Sequence, residues 1–211
     1  MGNYRRDYEW GRVYFLTQVT YGRQGWLCRE EARSQLRQAI NQVRQKYPFQ
    51  IDAFVLLPDH FHGVWTLPEG KGDFLVRMQL IKTYVTRWIG EDLRLDLPVS
   101  ASREKRRERN LWQRQFWEHR VRDEKEFAAY CDYIHINPVK HGLCKSPTDW
   151  QWSTVHKFIE KGSYPPNWNT VSTGYHLDVG LLGGNDGGTI GGWGVGGGAL
   201  CGCCDGPNGG S

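Results

Sequence analysis

Only two residues, Pro58 and Asp59, separate two β-rich runs, residues 49–57 (FQIDAFVLL) and residues 60–67 (HFHGVWTL). A link this short leaves no room for a crossover, so the two runs must pair as antiparallel neighbours in a hairpin. Upstream, residues 11–20 (GRVYFLTQVT) read as a strand. Ala32, Leu36, Ile40, Val43 and Tyr47 then recur at helical spacing until Pro48 stops the helix. Downstream, Asp73 caps a helix with Phe74, Met78, Ile81, Val85 and Ile89 on one stripe, and Gly90 ends it. A charged loop over residues 98–110 leads to a strand around residues 116–121. Asp123-x-x-Glu126 is a capping box for a helix that turns Phe127, Cys131 and Ile134 inward and ends near Asn137, because Pro138 prevents continuation. A short helix over residues 153–160 closes the series. The order β-α-β-β-α-β-α predicts an α+β chain whose first six elements form a ferredoxin-like antiparallel sheet with two helices on one face.

Glycine usage divides the chain. Sixteen of its 26 glycines follow residue 173, in a segment without Lys or Arg. Residues 174–211 therefore read as a Gly-rich, disordered tail, and residues 1–173 as the single folded domain. That domain holds all 27 Lys and Arg but only 20 of the 23 acids, an excess of seven positive charges that favours a polyanionic partner. No stretch of 18 apolar residues marks a membrane span, and the N-terminus lacks a signal-like apolar region. The body cysteines Cys28, Cys131 and Cys144 stand singly and no CxxC occurs, which points to a reducing cytoplasm rather than a disulfide or zinc framework.

Two constellations carry chemistry. In a strand, His60 and His62 project to one face, with Phe61 turned away. Two adjacent imidazoles can hold a divalent metal, and they also suit a solvated sheet face. On the later helix, Tyr133 and Asn137 lie four residues apart and flank the Phe127/Ile134 core stripe. Tyr130 is the competing phenol, one turn earlier. Two His and an amide oxygen supply three ligands, and a nearby tyrosine supplies a nucleophile, a set suited to phosphoryl transfer from nucleic acid.

A run of fragments in order extends this pattern: Asn3-Tyr4-Arg5-Arg6, Leu57-Pro58-Asp59-His60-Phe61-His62, residues 112–120 (WQRQFWEHR), residues 133–142 (YIHINPVKHG), Asp149-Trp150 and Trp152-Ser153. Over about residues 3–168 the chain resembles the HUH single-tyrosine transposases, and more closely the REP-associated tyrosine transposases. The resemblance implies an RRM-related catalytic domain with an additional catalytic helix. It implies binding of single-stranded DNA that folds into palindromic hairpins, with cleavage and rejoining of the adjacent strand through a 5′-phosphotyrosine. Carried over by motif, Tyr133 is the nucleophile, and His60, His62 and Asn137 bind Mg²⁺ or Mn²⁺. Insertion-sequence relatives commonly place Gln at the amide position, where Asn137 is one methylene shorter.

For DNA binding, the family's use of its N-terminal segment points to Asn3, Tyr4, Arg5 and Arg6. Arg103, Lys105, Arg106, Arg107 and Arg109 are phosphate or base-edge candidates, although Glu104 and Glu108 among them also suit a solvated loop. Lys140 is a phosphate candidate, and His119 and His141 suit either a phosphate contact or loop packing. Trp112, Phe116 and Trp117 suit base stacking or the core. A homodimer and a monomer both fit. Two other functions share the scaffold: a catalytically silent hairpin-binding regulator, which needs no metal, and an RRM-like RNA binder, against which the His-Phe-His strand argues.

Overall fold

The computed structural model describes residues 12–70, 74–89, 104–105 and 109–169. The N-terminal arm with Asn3, Tyr4, Arg5 and Arg6, the side chains of Arg103, Arg106 and Arg107, and the tail from residue 174 lie outside the described residues.

Strands β1 (Val13–Val19), β2 (Gln50–Leu56), β3 (His60–Thr66) and β4 (Trp117–Arg120) form one sheet in the order β2-β3-β1-β4. Every pairing is antiparallel. The β2–β3 hairpin turns at Pro58-Asp59, as its length requires. Helices α1 (Glu30–Lys46) and α2 (Phe74–Ile89) intervene between strands, which completes the split βαβ order. Their apolar stripes are buried as the 3.6-residue period demands: Ala32, Leu36, Ile40 and Val43 on α1, and Met78, Ile81 and Val85 on α2.

Strand parity separates the two sheet faces. On one face, Tyr14 stacks on Phe74 at 5.4 Å and Trp65 stacks on Phe49 at 4.4 Å, under α1 and α2. On the other, Phe15 stacks on Tyr130 of helix α3 (Glu124–Lys140) at 4.2 Å. Helix α4 (Val155–Glu160) sets Phe158 against His135 of α3, with ring centroids 4.5 Å apart. The sheet thus has two helices on one face and the Tyr133-bearing helix on the other.

Two local expectations about α3 are corrected. The helix does not end at Asn137; it runs through Pro138 to Lys140. Proline removes its own N–H and crowds the carbonyl one turn back, yet the turn beyond it still closes: His141 N donates to Asn137 O (3.0 Å) and Leu143 N to Pro138 O (2.9 Å). Gly142, at φ 68°, then takes the left-handed conformation that terminates the helix. At the other end, Asp123 caps as expected by accepting from Glu126 N (2.8 Å). Glu126 does not return the bond to Asp123. Its carboxylate accepts from Arg122 N (2.7 Å) and Arg122 Nη2 (3.0 Å) and bonds His119 Nε2 (2.9 Å), so only half of the capping box forms. The stronger pull is the Arg122 cation and the imidazole, both offered to one buried carboxylate.

Candidate active site

The register of β1 against β3 assembles the site. Thr17 faces His62 and Val19 faces His60 across the ladder, so one polar hydroxyl sits beside the second histidine. Thr17 Oγ1 and His62 Nδ1 are 2.7 Å apart. His60 Nδ1 bonds Asp59 Oδ1 at 2.6 Å. Both imidazoles therefore have Nδ1 engaged and Nε2 left for a ligand, the arrangement by which outer partners orient metal-binding histidines. The two rings meet edge to face with centroids 4.8 Å apart.

Tyr133 is half-buried and packs edge-on against His62 (5.3 Å) and Phe15 (5.9 Å). Asn137, one helical turn on, is buried on the same side of the helix as Tyr133. The competitor Tyr130 is 5% exposed, stacked on Phe15 and in contact with His119 at 5.5 Å. Geometry thus brings Tyr133, rather than Tyr130, beside the histidines. Lys140 is exposed, yet its Nζ lies 4.9 Å from the centre of the Tyr133 ring. His141 stands 5.0 Å from His60, ring to ring.

Electrostatics fit a cation site. Burial, reinforced by the charges of His60, His141 and Arg23, pushes His62 well below the usual imidazole range, so it is a neutral lone-pair donor. Burial also lowers His141 to about 4, with His60, Arg23 and Lys140 adding to the effect against the opposing pull of Asp59. Burial alone would raise the Asp59 carboxyl, but the hydrogen bond and charge of His60 and the Arg23 cation hold it at about 2. Tyr133 is raised by burial, partly offset by Asn137 and Arg23. Burial lowers Lys140.

Two atoms test whether a metal belongs here. His62 Nε2 and Asn137 Oδ1 are buried with no hydrogen-bond partner. A buried polar group left unpaired costs about 1–3 kcal/mol, so two such acceptors flanking one tyrosine suit a ligand that satisfies both. Among the described residues no cluster of three or more His, Cys, Asp or Glu suits a metal. The candidate set draws instead on two imidazoles and an amide oxygen, a donor combination that suits a divalent cation with open positions.

Of the basic candidates, Lys105 and Arg109 are exposed on the segment before β4. Trp112 is core, 5% exposed and edge-on to Trp26. Phe116 contacts Phe74 on the α1/α2 face. Trp117 is half-buried, pairs with Thr17, and meets Phe15 at 5.4 Å on the Tyr133 face. Sequence reasoning missed Thr17, Asp59 and Arg23. Asp59 was legible as the residue next to His60. Thr17 needed the strand register, and Arg23 needed the fold: its Nη1 donates to Asp59 Oδ2 at 3.0 Å.

Comparison with known proteins agrees in extent and content. A family model described as "Transposase IS200 like" matches residues 8–137. An Escherichia coli protein described as "REP-associated tyrosine transposase" is 39% identical over 168 residues, 80% of this chain and 91% of the relative. A solved structure described as a REP-associated tyrosine transposase bound to a REP hairpin is 38% identical, with a TM-score of 0.64, and the match covers 83% of this chain and 95% of that one. Among the described residues no helix is long and apolar enough to cross a membrane.

Proposed function

The chain belongs to the IS200-like transposase family, and we propose that it is a metal-dependent single-stranded DNA transesterase. In this reading it binds palindromic hairpins of the REP kind and cleaves and rejoins the adjacent strand in the cytoplasm. The observation that carries the reading is the pair of unpartnered buried atoms, His62 Nε2 and Asn137 Oδ1, His62 packing on the Tyr133 ring and Asn137 lying one helical turn from it.

Mg²⁺ or Mn²⁺ held by His60, His62 and Asn137 would polarise the scissile phosphate and offset charge in its transition state. The chain's own groups do the rest. Tyr133 Oη attacks phosphorus, forming the Oη–P bond as the P–O3′ bond breaks. The phenolic proton is lost to solvent, and the departing 3′-oxygen takes one up. Attack by a 3′-hydroxyl on the phosphotyrosine reverses the step, so the phosphodiester is conserved without ATP. Burial makes Tyr133 a reluctant acid. The Asn137 amide and the Arg23 cation both favour the phenolate, and the Lys140 ammonium lies 4.9 Å from the ring centre.

The test is incubation of the protein with a single-stranded REP hairpin oligonucleotide carrying unpaired flanks, with and without Mn²⁺. A covalent adduct that requires Mn²⁺ supports the reading. Hairpin binding with no adduct at any metal concentration leaves the silent regulator.

DNA recognition gives two further expectations. The basic arm should clamp the hairpin through phosphates, so deleting residues 1–6 weakens hairpin binding and flattens its salt dependence. Equal affinity of both chains across a salt series removes the arm from the interface. Trp117 offers a half-open indole one strand beyond Thr17. Base–aromatic stacking is worth about 1–3 kcal/mol per base, so Trp117→Ala should weaken binding of the unpaired flank by roughly fivefold or more. The same variant should bind a flankless hairpin normally. Fluorescence anisotropy with the two oligonucleotides checks both.

A further inference from the structure

Arg23 stands at the edge of the site, and the steps above give it no contact with the reacting phosphate. It ends a 3-10 turn, Tyr21–Arg23, directly after β1. Among the described residues it is the one non-glycine with positive φ, 52°. A β-substituted residue in this conformation is strained, and such strain persists where the surrounding structure enforces it, commonly at functional sites. Enforcement is visible here. Thr20 N donates to Asp59 O (2.8 Å) and Leu27 N to Pro58 O (2.9 Å), which pins the turn on both sides to the Pro58-Asp59 bend.

The turn delivers a guanidinium to the metal-site histidines. Arg23 Nη1 donates to Asp59 Oδ2 (3.0 Å), and the other oxygen of that carboxylate engages His60 Nδ1 (2.6 Å). One carboxylate thus holds both the imidazole and the guanidinium. Stability does not account for this, because the Arg23 side chain is 47% exposed and exposed ion pairs contribute little. Asp59 occupies one donor nitrogen, and half of the side chain remains open to solvent. The charge of Arg23 reaches Tyr133, His62 and His141, which belong to three different parts of the site.

We propose that Arg23 is a further catalytic residue, whose guanidinium binds a non-bridging oxygen of the scissile phosphate while Asp59 fixes it in register with His60. Phosphoryl transfer gathers negative charge on the equatorial oxygens. A planar, permanently charged fork matches that charge better than an ammonium does. The assignment rests on the transesterase reading above and adds to it a protein cation at the reacting phosphate.

The experiment measures adduct formation in single turnover on the flanked REP hairpin oligonucleotide across a Mn²⁺ titration to saturation, using R23A, R23K and D59N. Loss of one oxyanion stabiliser typically costs about 100-fold or more, and R23A should fall by that factor. Its affinity for a flankless hairpin should stay within about twofold, since the arm, not this turn, is proposed to hold the stem. R23K should fall between, and added guanidinium ion should restore part of the R23A rate. D59N should shift the Mn²⁺ concentration required by about 10-fold or more, as loss of an outer-shell partner does. An R23A rate that returns to the unsubstituted value simply on raising Mn²⁺ overturns the proposal, because Arg23 would then act only by positioning Asp59 and His60. An unchanged R23A rate overturns it equally. Absence of any adduct from the unsubstituted protein overturns the transesterase reading itself, and Arg23's role with it.

Discussion

Tyr133→Phe should abolish the covalent protein–DNA adduct while leaving hairpin binding intact. The substitution removes one oxygen and keeps the ring that packs against His62 and Phe15, so the site's walls survive. The hydroxyl sits at a half-buried position, and its loss should move the melting temperature by no more than a few degrees. Activity depends on that oxygen far more steeply. Removing a covalent nucleophile costs a factor on the order of 10⁴ or more, so the adduct should become undetectable on a gel. Persistence of the adduct in Tyr133→Phe would move the nucleophile elsewhere. Tyr130 would be examined first, although it is 5% exposed and stacked flat on Phe15, and it would need a repacked sheet face to reach a phosphate.

What the sequence disclosed and what it hid follow one physical division. Local periodicity is written in the chain, so the hairpin at Pro58-Asp59, the stripes of α1 and α2, and the inward turn of Phe127, Cys131 and Ile134 were all legible. The i, i+2 and i, i+4 rules also placed His60 with His62 and Tyr133 with Asn137 without any tertiary knowledge. Contacts between elements were not legible. Thr17 meets His62 through a strand register that no local pattern sets. Arg23 reaches Asp59 because two backbone hydrogen bonds pin one turn to another 36 residues away. Pro138 misled for a related reason: a helix-breaking rule concerns one lost donor, and the continuation of α3 depends on the turn that His141, Gly142 and Leu143 build beyond it. The sequence named the groups proposed for the chemistry, and the fold supplied those that hold them.

Removing the histidines should separate catalysis from recognition as sharply as removing the tyrosine. His62→Ala deletes the lone pair at Nε2 and leaves Asn137 Oδ1 as an unpartnered buried acceptor, with a cavity where the ring stood. His62 makes its other bond to Thr17, which keeps a hydroxyl that can bind water, so the strand pairing itself is not at risk. With two of the three proposed donors remaining, Mn²⁺ affinity should fall by more than about 100-fold, since outer-shell losses alone cost about 10- to 100-fold. Titration of Mn²⁺ followed by electron paramagnetic resonance reads this directly, with no DNA present. Thr17→Val supplies the graded case. It keeps Nε2 but frees the ring to rotate, and it should weaken Mn²⁺ binding by about 10-fold. Adduct formation should track metal occupancy across His62→Ala, Thr17→Val and the unsubstituted protein, while affinity for the hairpin stem stays flat. The silent-regulator function predicts flat hairpin affinity too, but it gives no metal-dependent adduct in the unsubstituted protein and so no activity for occupancy to control. Undiminished adduct formation by His62→Ala at low Mn²⁺ would show that the buried Nε2 serves the packing of the sheet face rather than a ligand.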